Sequence, residues 1–189
     1  MDKIIDFMME YGGDSIQYRI RRDILNAPLQ TEEMRKLHER ILCKPKVKKI
    51  LDAQHEDGWI GNTLHGSPPD GFDSSVWKLL NFGVDKAHTV FKKAIHALLH
   101  PKQNEPYKRT IPGGPALDSD GRGGDQSVVA NILASLGCEH HENVTQELTR
   151  SLDHFRGALH YTSVDDFSVH EKRAPGYIFQ KQNPFCGAI

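Results

Sequence analysis

The sequence has few cysteines, few aromatic residues and no excess of either charge. Its three cysteines, an odd number at wide spacing in 189 residues, are typical of reduced thiols and do not fit a disulfide framework: Cys43, Cys138 and Cys186. Lys and Arg total 24 against 25 for Asp and Glu, and this balance argues against binding to nucleic acid or an anionic membrane surface. The apolar runs are too short for a secretion signal or a membrane span. We therefore expect a cytoplasmic globular protein.

Helical spacing of apolar residues runs through most of the chain, and no segment has convincing strand alternation. The spacing predicts inward faces on three helices: Ile16, Ile20 and Ile24; Met34, Leu37 and Ile41; Val144, Leu148 and Leu152. Ile4, Phe7 and Met8 mark a further amphipathic stretch. Asp85 and Asn143 are predicted to begin helices, because aspartate and asparagine are common N-cap residues. The pattern predicts an all-α fold, with irregular coil and room for one short helix after Gly157.

The helical pattern also repeats. A shift of 54 positions (137 − 83) places Gly83 on Gly137 and aligns LLNFGVD with LASLGCE, each a helix end, a glycine and a small apolar residue before an acid. A repeat of this length indicates an array of helical hairpins. We divide the chain into hairpin regions 1–53, 54–99 and 100–156 and an irregular aromatic tail, 157–189.

The segment QHEDGWIG, residues 54–61, lies between two helical segments and resembles a known motif. Four residues match the QW motif, Q-x-x-D-G-[SG]-W, with one position missing before the tryptophan: Gln54, Asp57, Gly58 and Trp59. The motif belongs to terpenoid (squalene-type) cyclases, which share the α/α-toroid superfamily with the protein prenyltransferase β-subunits. LDSDGRGGDQSVVANILASLG resembles a degraded second copy.

The resemblance implies a single α/α-toroid-like domain, 1–189, a partial ring of about three hairpins. In the family the glutamine caps a neighbouring helix and the tryptophan stacks on it. The resemblance therefore favours a structural role for residues 54–59, in which they join neighbouring helices, over a role as a catalytic acid.

Candidate catalytic residues are scattered. Squalene-type cyclases protonate their substrate with an aspartate of a D-x-D-D motif, and the nearest match here, with Asp118 and Asp120, lacks the final acid. Some polysaccharide lyases on α/α toroids use tyrosine and histidine, for which the candidates are His160, Tyr161 and His170.

Candidate ligand-binding residues are Trp59, Arg19, Arg22 and Tyr177. The two arginines share a helix face and could hold a phosphate or a carboxylate; the alternative is that they pair with acids such as Asp23 or Glu32. Prenyltransferases bind zinc through Asp, Cys and His, but the cluster Cys138-Glu139-His140-His141 lacks zinc-ligand spacing. We expect no metal and no cofactor.

Aromatic residues make up only 8% of the chain, too few for a cyclase pocket in which aromatic faces stabilise cations. The leading interpretation is a toroid protein without assured catalysis that presents a concave face to a small molecule or a protein. The alternative is a terpenoid-cyclase-like or polysaccharide-lyase-like enzyme with an acid or a His/Tyr pair in the pocket. An open ring leaves an apolar stripe uncovered, and we expect the aromatic tail to cap part of it and a homodimer to cover the remainder.

Overall fold

A computed structural model describes residues 2–102, 105–121, 123–166, 168–170 and 177–179. These ranges contain nine α-helices: α1 (Asp2–Tyr11), α2 (Asp14–Asp23), α3 (Glu32–Leu42), α4 (Pro45–Leu51), α5 (Phe72–Phe82), α6 (Thr89–Leu99), α7 (Gly114–Ser119), α8 (Asp125–Ser135) and α9 (Glu142–Ala158). The predicted all-α class is confirmed. None of these helices is long and apolar enough to cross a membrane.

A short strand pair follows α9, where the sequence predicted irregular coil and room for one short helix. After a 3-10 turn at Val164–Asp166, strands β1 (Ser168–His170) and β2 (Tyr177–Phe179) pair antiparallel. Each strand has three residues, which is too short to show the alternation that identifies strands in a sequence.

The chain divides into two compact units, residues 1–107 and residues 108–189. The first contains α1 to α6, and the second contains α7 to α9 and the strand pair. In the first unit α2 packs on α1 and α3, and in the second α8 packs on α7 and α9. The single domain and its hairpin regions stay predictions.

The core of the first unit is formed by helix faces and by the segment between α4 and α5. Its largest side chains without exposed surface are Trp59, Phe72, Phe91, Met34, Leu37, Ile41, Ile60, Leu64 and Leu79. In the second unit Ile132 and Leu133 of α8 are fully buried, and Val144 is the buried residue of α9. The predicted inward face of α3 is thus confirmed.

Two predicted inward faces are only partly correct. Ile20 is buried, but Ile16 and Ile24 are exposed; Val144 is buried, but Leu148 and Leu152 are exposed. Spacing identifies an apolar stripe on a helix, but it does not show whether another element covers the whole stripe.

The ends of α5 and α8 have the same geometry. Gly83 and Gly137 have φ angles of +92° and +90°. After each glycine, the next N–H donates to a carbonyl in the last helical turn, Val84 to Leu79 at 3.0 Å and Cys138 to Leu133 at 2.9 Å. This is the Schellman arrangement that glycine favours. Cys43 and Cys138 are free thiols, and Cys186 lies outside the described residues.

Histidines begin two helices for which the sequence suggested other residues. His88 Nδ1 accepts from Val90 N–H at the start of α6, and His141 Nδ1 accepts from Asn143 N–H at the start of α9, both at 3.2 Å. The predicted helix starts, Asp85 and Asn143, are therefore wrong by two or three positions. Histidine is outside the usual set of N-cap residues, so the sequence signal was missed.

Candidate functional site

The segment 54–61 folds into a turn held by its own backbone. His55 N–H donates to the Trp59 carbonyl at 2.7 Å, and Gly58 N–H donates to the His55 carbonyl at 2.9 Å. Gly58 has φ +103°, and a Cβ atom there would lie 2.2 Å from the Lys93 carbonyl oxygen on α6. Only glycine allows both this backbone conformation and this approach.

Gln54 joins the turn to α6. Its side-chain Nε2 donates to the Gly58 carbonyl at 2.8 Å and to the Val90 carbonyl, in the first turn of α6, at 2.9 Å. The glutamine therefore bonds carbonyl groups, whereas the family resemblance implied a cap on the amides of a neighbouring helix. His88 supplies that amide cap for α6.

Asp57 is held as an ionised carboxylate. Oδ1 accepts from Trp59 N–H at 3.1 Å, and Oδ2 accepts from the Tyr107 hydroxyl at 2.8 Å. Burial opposes ionisation, but these hydrogen bonds and Lys102 outweigh it and keep the pKa of Asp57 below its ordinary value. A carboxyl group that is ionised at neutral pH is a poor proton donor.

Trp59 has no exposed surface. Its ring stacks on Tyr107, with centroids 4.4 Å apart and an interplanar angle of 3°, and contacts Phe72 at 4.5 Å. Trp59 therefore has a structural role in the core of the first unit, and its ligand-binding role stays a prediction. Tyr107 completes this arrangement, and no sequence pattern marked it as a site residue.

The other catalytic candidates lie on three separate elements: the end of α7, the turn after α9 and β1. Asp118 Oδ1 accepts from the Gly124 and Gln126 amides at 2.7 and 3.3 Å, so this carboxylate caps the start of α8. Asp120 and His160 are exposed, and Tyr161 is half-buried. The strand register places His170 opposite Tyr177, which brings two of the candidate residues to neighbouring backbone positions.

The candidate arginines pair with an acid. Arg22 Nε and Nη2 donate to the two carboxylate oxygens of Asp23 at 2.6 and 3.1 Å, and Arg19 lies 3.6 Å from the same carboxylate. The hydrogen bonds from Arg22 hold the pKa of Asp23 below its ordinary value. This is the pairing that the sequence analysis gave as the alternative to an anion site, although Glu32 pairs instead with Arg35 and Lys36.

A polar groove of about 330 Å³ lies between α8 and α9, and the sequence analysis missed it. At this groove Glu147 bonds Ser127 and Arg150, whose guanidinium also donates to the Gly121 carbonyl. Burial opposes ionisation of Glu147, but the bonds from Arg150 and Ser127 lower its pKa overall. Arg150 and Glu147 form an ion pair, and this network fixes α9 on α8.

Another face of α9 is apolar and open to solvent. Four large side chains lie along it, with exposed fractions of 56, 45, 50 and 82%: Leu148, Leu152, Phe155 and Leu159. On α1, Ile4, Phe7 and Tyr11 are 61 to 69% exposed. Within the described ranges no group of three or more His, Cys, Asp or Glu side chains is placed to hold a metal ion.

Comparison of the chain with protein-family models, with curated proteins and with solved structures finds no match. The α/α-toroid resemblance therefore rests on the motif residues and the hairpin spacing alone. It stays a prediction.

Trp59→Ala should lower the free energy of unfolding by about 3–5 kcal/mol, because it removes a fully buried aromatic side chain and leaves a cavity. The matched control is Trp77→Ala, since Trp77 is 48% exposed, and we expect it to cost less than half as much. Urea unfolding followed by circular dichroism measures both. Equal losses in the two variants would contradict the structural role of Trp59.

Gly58→Ala and Gly137→Ala should separate backbone strain from steric clash. Both glycines have positive φ, but a Cβ at Gly137 would meet nothing within 4 Å. We expect Gly137→Ala to cost about 1 kcal/mol from backbone strain alone, and Gly58→Ala to cost clearly more. Thermal unfolding of the two variants measures the difference. A Gly58→Ala protein as stable as Gly137→Ala would show that the turn does not need its close approach to α6.

Proposed function

We propose that the chain is a helical-hairpin binding protein, built as an open α/α toroid, that recognises a partner through an exposed helix face and catalyses no reaction. The partner proposed first is a second copy of the chain. The cyclase-like and lyase-like alternatives stay predictions.

The state of the candidate acids supports binding over catalysis. A general acid needs a raised pKa near the working pH, whereas the pKa of Asp57 is lowered. The Asp118 carboxylate accepts hydrogen bonds from backbone amides at the start of α8, where it caps the helix. Both groups have a structural role that accounts for their position.

The exposed face of α9 is the observation that carries the proposal. Leu148, Leu152, Phe155 and Leu159 follow one another at spacings of four, three and four residues. This is the a/d spacing with which helices pack knobs into holes against another helix. We refer to these four residues as the α9 seam. Contiguous apolar surface of this kind is uncommon on monomeric proteins and marks interaction sites.

The residues beside the seam suit a second copy of α9. With Leu152 and Leu159 at a positions of a heptad, the flanking e and g positions are Thr149, Ser151, Arg156 and Ala158. Three of these are small and uncharged, so two α9 helices can approach closely. In an antiparallel pair Arg156 of one chain faces Thr149 of the other, and no like charges oppose each other across the seam.

The opposite side of α9 is anchored, which leaves the seam well positioned. Glu147 and Arg150 bond α9 to Ser127 of α8, while the seam residues are about half or more exposed. A helix fixed on one side loses little conformational entropy when its other side associates.

Leu152→Glu should abolish self-association without unfolding the protein. The variant places a charge at the centre of the seam, and burying an unpaired charge is strongly unfavourable. Sedimentation velocity at micromolar concentration should give a dimer for the unsubstituted chain and a monomer for Leu152→Glu. The matched control, Gln146→Glu, adds the same charge at an exposed position of α9 outside the seam and should remain dimeric.

A monomeric unsubstituted chain, or a Leu152→Glu variant that still forms dimers, would contradict the proposed interface. Phe7→Glu tests the other exposed face, on α1. If Phe7→Glu and not Leu152→Glu gave monomers, the copies would associate through α1 and the α9 seam would be excluded.

A further inference from the structure

A cluster of titratable groups joins α2 and α3 to the turn between α5 and α6. The Tyr18 hydroxyl donates to Asp85 Oδ2 at 3.3 Å, and the His38 ring lies 5.5 Å from the Tyr18 ring and 6.2 Å from the His88 ring. Tyr18 is 2% exposed, and His38, Asp85 and His88 are half-buried.

Two backbone amides require neutral histidines here. Asp85 N–H donates to His38 Nε2 at 3.1 Å, and Val90 N–H donates to His88 Nδ1 at 3.2 Å. An amide N–H can only donate, and a ring nitrogen accepts only when it carries no proton. Protonation of either ring therefore removes the hydrogen bond that it makes to the α5–α6 turn or to α6.

We propose that this cluster is a pH-sensitive joint, in which protonation of His38 removes a bond between α3 and the α5–α6 turn, and protonation of His88 removes the amide cap of α6. The proposal goes beyond partner binding, and it does not depend on the α9 seam. The Asp85 amide joins the turn to α3 through His38, while the Val90 amide begins α6 through His88. Loss of these two bonds loosens the start of α6 and the turn before it.

The charges around His38 set the direction of the effect. Burial is the largest influence and lowers the pKa of His38; His88 and Arg22 of α2 act the same way, while Asp85 and Glu39 of α3 oppose them. Burial likewise lowers the pKa of His88, against the opposing charge of Asp85. Both pKa values lie below the free-histidine value of about 6.5. The stability from this cluster is therefore complete above about pH 6.5, and it is lost as the pH falls through the folded-state values.

Amide hydrogen exchange, followed by NMR, tests the joint at the two donor groups. Between pH 7.5 and pH 5.5, after correction for the intrinsic exchange rate, the protection of the Asp85 and Val90 amides should fall, up to about tenfold. His38→Gln and His88→Asn keep a side-chain carbonyl acceptor but cannot be protonated. In the double variant the protection of both amides should be the same at the two pH values.

His141→Asn is the matched control, since His141 caps α9 in the same way as His88 caps α6 but lies outside the cluster. It should leave the pH dependence at Asp85 and Val90 unchanged. The proposal would be overturned if the double variant lost as much protection between the two pH values as the unsubstituted chain does. It would also be overturned if protection in the unsubstituted chain did not change between them. If the double variant does not fold, NMR titration of the unsubstituted chain decides: a His38 pKa at or above the free-histidine value overturns the joint.

Discussion

The ring of Trp59 lies between Tyr107 and Phe72 with no exposed surface, and the first unit is arranged around it. The turn that carries Trp59 is fastened to α6 by Gln54, and Asp57 bonds the hydroxyl of Tyr107, the ring partner of the tryptophan. Such aromatic pairs contribute about 0.5–1.5 kcal/mol beyond the burial of their area. The same contacts keep Asp57 as an ionised carboxylate that accepts a hydrogen bond from Tyr107. Asp57 is therefore a poor proton donor.

Sequence patterns predict the parts of this structure that depend on periodicity. The all-α class and the buried face of α3 follow from the spacing of Met34, Leu37 and Ile41, because a helix must bury residues that recur with its turn. The contacts of the candidate site cannot be predicted from periodicity. Tyr107 reaches Asp57 across 50 positions of the chain, from a loop without periodicity. The spacing predicts an apolar stripe of Val144, Leu148 and Leu152 on α9. Spacing alone does not show that Leu148 and Leu152 are exposed, because exposure depends on which elements lie beside the helix.

The structure combines helices that are well anchored with apolar faces that are left open. Asp118 caps α8, and Glu147 with Arg150 fixes α9 on it. Acids and an arginine thus hold these helices in place, while the exposed faces of α1 and α9 carry large apolar side chains. This division of roles fits the proposed binding of a helix of another chain.

Methyl NMR of leucine-labelled protein at increasing concentration tests the binding account most directly, because it reports on each seam residue separately. The account predicts that the methyl signals of Leu148, Leu152 and Leu159 shift together as the concentration rises, while those of the buried Leu79 and Leu133 stay unchanged. Seam signals that do not change with concentration, or shifts confined to leucines outside α9, would contradict it.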